Sequence, residues 1–93
     1  MISIVGRFRV RPDKRESFLE FAEYLIDHSR QEIGCESFGI YEDILQQDWF
    51  VMLEEWQNQD TLEKHRHTAH FARFIQEFND YLEGEAVFRV QEG

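Results

Sequence analysis

Two neighbouring stretches decide the fold: Cys-Glu-Ser-Phe-Gly-Ile-Tyr-Glu at 35–42 and Asp-Trp-Phe-Val-Met-Leu-Glu-Glu-Trp at 48–56. Side chains alternate along both stretches with the period of two that is typical of β-strands. The short link from Asp43 to Gln47 predicts that the two strands pair as an antiparallel hairpin. In the second stretch Trp49, Val51 and Leu53 lie on one side, and Phe50, Met52 and Trp56 lie on the other. We therefore expect a sheet with apolar side chains on both faces.

A strand and a helix precede this hairpin. Residues 1–10 alternate in the same way, and Pro12 ends the strand because proline has no N–H for the ladder. Helical spacing then relates Phe18, Phe21, Ala22, Leu25 and Ser29. The pattern predicts a helix over residues 13–32, which begins with a capping box at Asp13 and Glu16 and ends at Gly34.

A second helical region and a last strand follow the hairpin. Asp60 and Glu63 repeat the capping-box spacing, which predicts a short helix to about Arg66. A further helix from Thr68 would bury a stripe formed by Phe71, Phe74, Ile75, Phe78 and Leu82. Gly84 ends that helix, and residues 86–90 form a short strand. The order β-α-β-β-α-β predicts a ferredoxin-like α+β sandwich, with the helices on one face of a four-stranded antiparallel sheet.

The second face of this sheet bears on assembly. A sheet face that meets water is normally polar, whereas Trp49, Val51 and Leu53 are apolar. The simplest cover is a second copy of the sheet about a twofold axis, so the sequence predicts a homodimer. No linker, repeat or low-complexity tract interrupts the chain, and we expect residues 1–93 to form a single domain.

Composition excludes several classes of function. The 93 residues are 42% hydrophobic and 15% aromatic, which is unlike a disordered chain. Ten Lys and Arg against nineteen Asp and Glu give a net charge of −9, so nucleic acid and anionic membranes are poor partners. The single Cys35 cannot form an internal disulfide. We find neither an apolar run of about 18 residues nor a signal-peptide pattern, and expect a cytoplasmic protein.

Residues 54–71 read Glu-Glu-Trp-Gln-Asn-Gln-Asp-Thr-Leu-Glu-Lys-His-Arg-His-Thr-Ala-His-Phe. This stretch resembles the signature of the antibiotic biosynthesis monooxygenase family, in which a strand ends in Glu-x-Trp, a helix carries Leu-x-x-His, and Thr-x-His-Phe opens the next helix. Gly34-Cys35 before the second strand and Arg11-Pro12 after the first are also similar to the family pattern. The resemblance covers nearly the whole chain.

The resemblance implies a dimeric α+β barrel with a pocket between the sheet and the helices of each subunit. Many members oxidise phenolic or quinol-like compounds with molecular oxygen and use no metal, flavin or haem. The predicted function is therefore cofactor-independent monooxygenation of a small quinol or polyphenol. Relatives on this fold isomerise small phosphorylated sugars, which would need cations such as Lys64, Arg66 or Arg73 at the pocket mouth. Others bind or degrade haem, and a non-catalytic small-molecule-binding module is a further alternative.

Three histidines, His65, His67 and His70, lie within six residues. Two metal ligands on one helix face need i, i+4 spacing, but His65 and His70 are five apart, and the sequence offers no clear third ligand. We expect no metal site. Cofactor-free oxygenation needs a base, and His65, which falls on Leu-x-x-His, is the first candidate and His70 the second. The alternative is structural: His65 would hold the helix junction, and His70 would anchor the start of its helix, with Thr68 as N-cap.

Aromatic side chains are the candidates for substrate contacts. Trp56, Phe50, Phe71 and Phe74 would line a pocket for a flat substrate, and Tyr41 would reach it with its hydroxyl. Trp56 matches the family pattern, and its N–H would orient a substrate oxygen. The alternatives are ordinary core packing for Phe71 and Phe74 and a strand-to-helix corner for Trp56.

An arginine stripe, Arg7, Arg9 and Arg11, follows one face of the first strand. Such a stripe binds phosphate in some proteins. We expect it instead to pair with carboxylates on neighbouring strands, such as Glu42 or Glu54.

Overall fold

The computed structural model describes residues 1–93 and contains four strands and three α-helices. The strands are β1 (Ile2–Arg9), β2 (Cys35–Glu42), β3 (Trp49–Trp56) and β4 (Val87–Glu92), and the helices are α1 (Arg15–Arg30), α2 (Gln59–His65) and α3 (Ala69–Glu77). Short 3₁₀ turns lie at Pro12–Lys14 and Phe78–Tyr81. All neighbouring strands are antiparallel, in the order β2-β3-β1-β4. The ferredoxin-like α+β prediction is confirmed.

The helix starts differ from the predicted capping boxes. Asp13 accepts hydrogen bonds from the Arg11 guanidinium, at 3.0 and 3.2 Å, inside the 3₁₀ turn, so it does not cap α1. The cap of α2 is Asn58, whose side chain accepts from the Thr61 N–H at 2.9 Å, with Thr61 Oγ1 accepting from the Asn58 N–H in return. The predicted boxes at Asp13 and Asp60 are wrong. The predicted cap of α3 is confirmed, since Thr68 Oγ1 accepts from the Phe71 N–H at 3.2 Å.

The core lies between the sheet and the helices. The predicted α1 face is confirmed: Phe18, Phe21, Ala22, Leu25 and Ser29 are all buried. Phe18 packs against the β1 and β3 residues Phe8 and Phe50, with ring centroids 5.6 and 5.0 Å away. The α3 stripe is less buried than predicted: Phe71 and Phe74 are half-buried and Ile75 is 61% exposed. These three side chains border a cavity rather than a packed core.

Gly34 sets the turn that leads from α1 into β2. Its φ of +89° lies in the left-handed region that glycine adopts without strain. A Cβ at this position would collide with Thr61 Cγ2, so any side chain here would clash with α2. The Gly34 carbonyl also accepts from the Gln57 N–H at 2.8 Å. The turn thereby holds Glu32 beside His65 at the end of α2.

The sheet face opposite the helices carries apolar side chains and no covering element. Trp49, Val51 and Leu53 lie on it half-buried, and Val5 and Val87 are 41% and 59% exposed. All six residues of the edge strand β4 are exposed. No helix has both the length and the apolar character required to cross a membrane.

The arginine stripe does not pair as expected. The Arg7 guanidinium lies 4.1 Å from the centre of the Trp49 ring and donates to Gln46, while Arg9 approaches Glu83 at 3.8 Å. Glu42 is engaged by Arg15. Glu54 lies on the helix side of the sheet, where the stripe cannot reach it.

Candidate functional site

A cavity of about 420 Å³ lies between the sheet and the C-terminal helices and opens to solvent. Eight of its twelve lining residues are hydrophobic, and its polar side chains come mainly from α2 and β3. The lining consists of Ile4, Glu54, Leu62, His65, Arg66, Phe71, Phe74, Ile75, Phe78, Asn79, Phe88 and Val90. Of the predicted site residues, His65, Phe71 and Phe74 are in this lining. A small aromatic molecule fits a site of this size and character.

One carboxylate, Glu32, joins the two candidate histidines. Its Oε2 lies 2.6 Å from His65 Nδ1 and 2.7 Å from His70 Nε2. A carboxylate oxygen only accepts, so both nitrogens carry hydrogen and donate to it. Neutral His65 is then left with a free lone pair on Nε2, which points towards Glu54. The carboxylate thus fixes the tautomer of His65 and leaves its basic nitrogen on the opposite side.

The break between α2 and α3 lets the two histidines converge. On one continuous helix, residues five apart would point about 140° away from each other. Here α2 ends at His65, Thr68 Oγ1 donates to the His65 carbonyl at 2.7 Å, and α3 starts again at Ala69. Both imidazoles are buried, with 2% of His65 and 8% of His70 exposed.

Glu54 is the second titratable group of the cavity. It projects from β3 towards the helices and is 7% exposed. The Trp56 indole N–H donates to its Oε1 at 3.0 Å, and His65 Nε2 lies 3.9 Å from the same oxygen. Burial raises the pKa of Glu54 to about 7. Burial also lowers the pKa of His65 below its usual value, and outweighs the hydrogen bond that His65 donates to Glu32, which raises it. Near neutral pH His65 therefore favours its uncharged form, and Glu54 is divided between its protonated and ionised forms.

Trp56 contacts both His65 and Glu54. Its ring is fully buried and lies 4.4 Å from the His65 ring. Because its N–H is donated to Glu54, that N–H acts on a bound molecule only through the carboxyl group.

Glu32, His65 and His70 also supply the donor types that metals use, with ligand atoms within 4.8 Å of one another. Glu32 is the third convergent group that the sequence did not reveal. Ligands about 2.0–2.1 Å from a tetrahedral ion stand roughly 3.3 Å apart. The contacts of 2.6 and 2.7 Å between nitrogen and oxygen are shorter and match charge-assisted hydrogen bonds. We therefore describe the three side chains as a hydrogen-bonded network.

Other predicted residues lie away from the cavity. Phe50 is buried in the core beside Phe8 and Phe18. Tyr41 is 57% exposed on the opposite face of the sheet, where its ring lies against Gly39. His67 is exposed, and its Nδ1 contacts the Glu63 carbonyl.

Two site residues, Glu32 and Glu54, were not singled out from the sequence for these roles. For Glu54 a signal existed, because the alternation along β3 puts it on the same side as the apolar Met52 and Trp56. A carboxyl group on a buried strand face is unusual and points to a functional site. Glu32 offered no such signal, since it is 33 residues from His65 and only the turn at Gly34 brings them together.

The fold and this site define the class of the protein: a ferredoxin-like α+β protein with a small-molecule cavity, a buried histidine and a buried carboxyl group. The chain belongs to the antibiotic biosynthesis monooxygenase family, whose profile matches residues 1–77.

Individual relatives agree with this assignment. "Putative monooxygenase YcnE" of Bacillus subtilis is 37% identical over 82 residues, which are 88% of this chain and 86% of that protein. The uncharacterized protein sll1783 of Synechocystis is 34% identical over 89 residues; these are 96% of this chain, which spans only 60% of that relative's length. The crystal structure of a conserved protein from Methanosarcina mazei Go1 has a TM-score of 0.90 at 26% identity, covering 98% of this chain and 90% of that one. None of these names specifies a substrate.

Proposed function

We propose that the protein is a monooxygenase that oxidises a small quinol or polyphenol with molecular oxygen and needs no cofactor. His65 is the general base in this proposal. The observation that carries it is the contact between Glu32 and His65 Nδ1, which leaves the lone pair of Nε2 facing the cavity.

The chemistry begins with a proton transfer. Nε2 of His65 takes the proton of a phenolic hydroxyl, and the anion that remains is electron-rich enough to pass an electron to oxygen. Glu32 stabilises the resulting imidazolium through the hydrogen bond to Nδ1. A positioned base of this kind contributes roughly 10²–10⁴-fold to the rate. The substrate itself supplies the electrons, which is why the proposal includes no metal, flavin or haem.

The cavity walls support a flat apolar substrate. Phe71 and Phe74 border the cavity with ring centroids 5.9 Å apart, and Phe71 also packs at 5.2 Å against His65. A planar ring in the cavity can stack on such an aromatic face in an offset or edge-to-face arrangement. They also keep water from the anion, which strengthens its electrostatic interactions with the site.

We also propose that the functional unit is a homodimer. The face that carries Trp49, Val51 and Leu53 is apolar, and a chain of 93 residues has a thin core of its own. A second copy of the sheet placed on this face would bury these side chains and form an α+β barrel.

An isomerase of a small phosphorylated carbonyl compound is the second candidate. It uses the same proton abstraction, and Arg66 is the one cationic side chain in the cavity lining. Arg73 is less suitable, because Glu77 engages its guanidinium at 2.8 Å.

An oxygen electrode separates these candidates. The purified protein is assayed in air against a panel of quinols and polyphenols in the presence of a metal chelator, and then against phosphorylated hydroxy-aldehydes and ketones without oxygen. Quinol-dependent oxygen uptake with the chelator present supports the monooxygenase. Oxygen-independent turnover of a phosphorylated carbonyl compound would instead support the isomerase, and binding without turnover a non-catalytic module.

A further inference from the structure

Glu54 brings a second proton-carrying group to the cavity, on the far side of His65 from Glu32. We propose that Glu54 is a catalytic residue, a neutral carboxylic acid that protonates the peroxide formed when oxygen adds to the substrate. The inference rests on the monooxygenase function proposed above and assigns the step that follows oxygen addition.

The surroundings of Glu54 favour the protonated form. Its Oε1 accepts from the Trp56 N–H, while its Oε2 has no hydrogen-bond partner in the protein. No lysine or arginine nitrogen lies within 4 Å of the carboxyl group, and the histidine nitrogen that does is His65 Nε2, at 3.9 Å. A buried carboxylate without a cationic partner is costly, so burial shifts the group towards its protonated form. The free Oε2 is the oxygen that is available to carry this proton.

The groups that face Glu54 come from several elements. His65 and Arg66 come from the end of α2, Glu32 from the turn after α1, and Cys35 from β2. Arg66 favours the carboxylate, whereas Glu32 opposes it, and burial outweighs both. A carboxylic acid held neutral by an apolar site can donate to an oxygen anion at neutral pH, as in ketosteroid isomerase.

His65 and Glu54 together account for every proton transferred in the reaction. His65 first takes the phenolic proton, and oxygen then bonds to a ring carbon that bears hydrogen, so that the carbon is oxidised and the oxygen becomes a peroxide anion. Glu54 protonates the terminal peroxide oxygen and becomes a carboxylate. The carboxylate removes the hydrogen of the same ring carbon as a proton, a C=O bond forms, and the O–O bond breaks. The departing hydroxide takes the proton from His65 and leaves as water, which restores both residues.

Glu54→Gln is the test, because glutamine keeps an oxygen acceptor for the Trp56 N–H but has no acidic proton. Glu55→Gln is the matched control, since Glu55 lies on the other face of β3 and accepts from the Ser37 hydroxyl. The first readout is the infrared carbonyl band of a protonated carboxyl group, taken as wild type minus Glu54→Gln. We expect the band below neutral pH and its loss with a midpoint of about 7. A carboxyl group already ionised well below neutral pH overturns the proposal.

The second readout is the yield of oxygenated quinone, the product that carries one atom of molecular oxygen, per oxygen consumed. With a quinol that the wild type oxidises, Glu54→Gln should form the oxygenated quinone about 10²-fold more slowly and release hydrogen peroxide together with the unoxygenated quinone, while Glu55→Gln matches the wild type. Unchanged formation of the oxygenated quinone in Glu54→Gln overturns the acid role and leaves the monooxygenase intact. A wild type that oxidises no quinol refutes the monooxygenase, and the peroxide step with it.

Discussion

Replacing Glu32 with glutamine is expected to weaken His65 as a base while leaving the residues that line the cavity unchanged. The carboxylate accepts two short hydrogen bonds, from His65 and from His70, and is 15% exposed. Glutamine has nearly the same shape, but its oxygen is neutral and its nitrogen is a donor. Both imidazoles therefore lose a charged acceptor.

The size of the effect follows from the two bonds. A hydrogen bond to a charged group contributes about 1.5–3 kcal/mol, and a neutral one about 0.5–1.5 kcal/mol. Losing about 1 kcal/mol at each of two bonds lowers the free energy of unfolding by about 2 kcal/mol. In a domain of this size the midpoint of thermal unfolding falls by roughly 8–16 °C. Loss of about 1.4 kcal/mol of imidazolium stabilisation lowers kcat about tenfold.

The pH dependence separates a catalytic from a structural role of Glu32. Its hydrogen bond raises the pKa of His65 against the effect of burial, so Glu32→Gln should lower that pKa further. The base must be neutral to act, and the rising limb of the rate against pH should therefore move to lower pH in the variant.

The measurement is oxygen uptake per folded molecule, well below the unfolding midpoint, as a function of pH. Glu63→Gln is the matched control, because Glu63 is exposed and lies near His67, which is also exposed. A Glu32→Gln protein with wild-type kcat and an unmoved rising limb would refute the positioning of His65 by Glu32.

The remaining predictions concern assembly, stability and metals. Sedimentation at micromolar concentration should give a dimer, and Val51→Glu should give a monomer by placing a charge on the apolar face; a wild-type monomer contradicts this. Hydrogen bonds from Arg15 lower the pKa of Glu42 to about 2, so this pair stabilises the fold above about pH 4.5 and the effect is lost as the pH falls towards 2. Arg15→Gln should flatten this part of the stability curve in urea unfolding, and an unchanged curve counts against the pair. Oxygen uptake should be the same after exhaustive chelation, and loss that added metal restores would contradict a metal-free site.

The strands and the main helix were predictable because one side of each is buried. Alternation in β1, β2 and β3 and the 3.6-residue stripe of α1 reflect which face meets the core. This pattern of apolar residues lies within the sequence of each element itself. Helix starts were less predictable, since several polar side chains compete to cap. At the start of α2 the cap is Asn58, and not Asp60 two residues later.

The site was only partly predictable because its groups are distant in sequence. His65 could be proposed from the motif around it. Its partner Glu32 could not, because the contact depends on the left-handed turn at Gly34. The position of Tyr41 was not predictable for a different reason. Strand periodicity does not say which face of β2 meets the cavity, and a bulge between Cys35 and Ser37 shifts the register.

His65→Ala, measured by oxygen uptake on folded protein, tests the central proposal most directly. We predict that kcat falls about 10²-fold or more. In the wild type the rate should rise with pH through an apparent pKa below the usual imidazole value, because burial lowers the pKa of His65. The variant should lose this dependence together with the rate. If His65 only holds the junction of α2 and α3, the variant will be less stable by about 1 kcal/mol and will turn over substrate at the wild-type rate per folded molecule, which would contradict its role as the base.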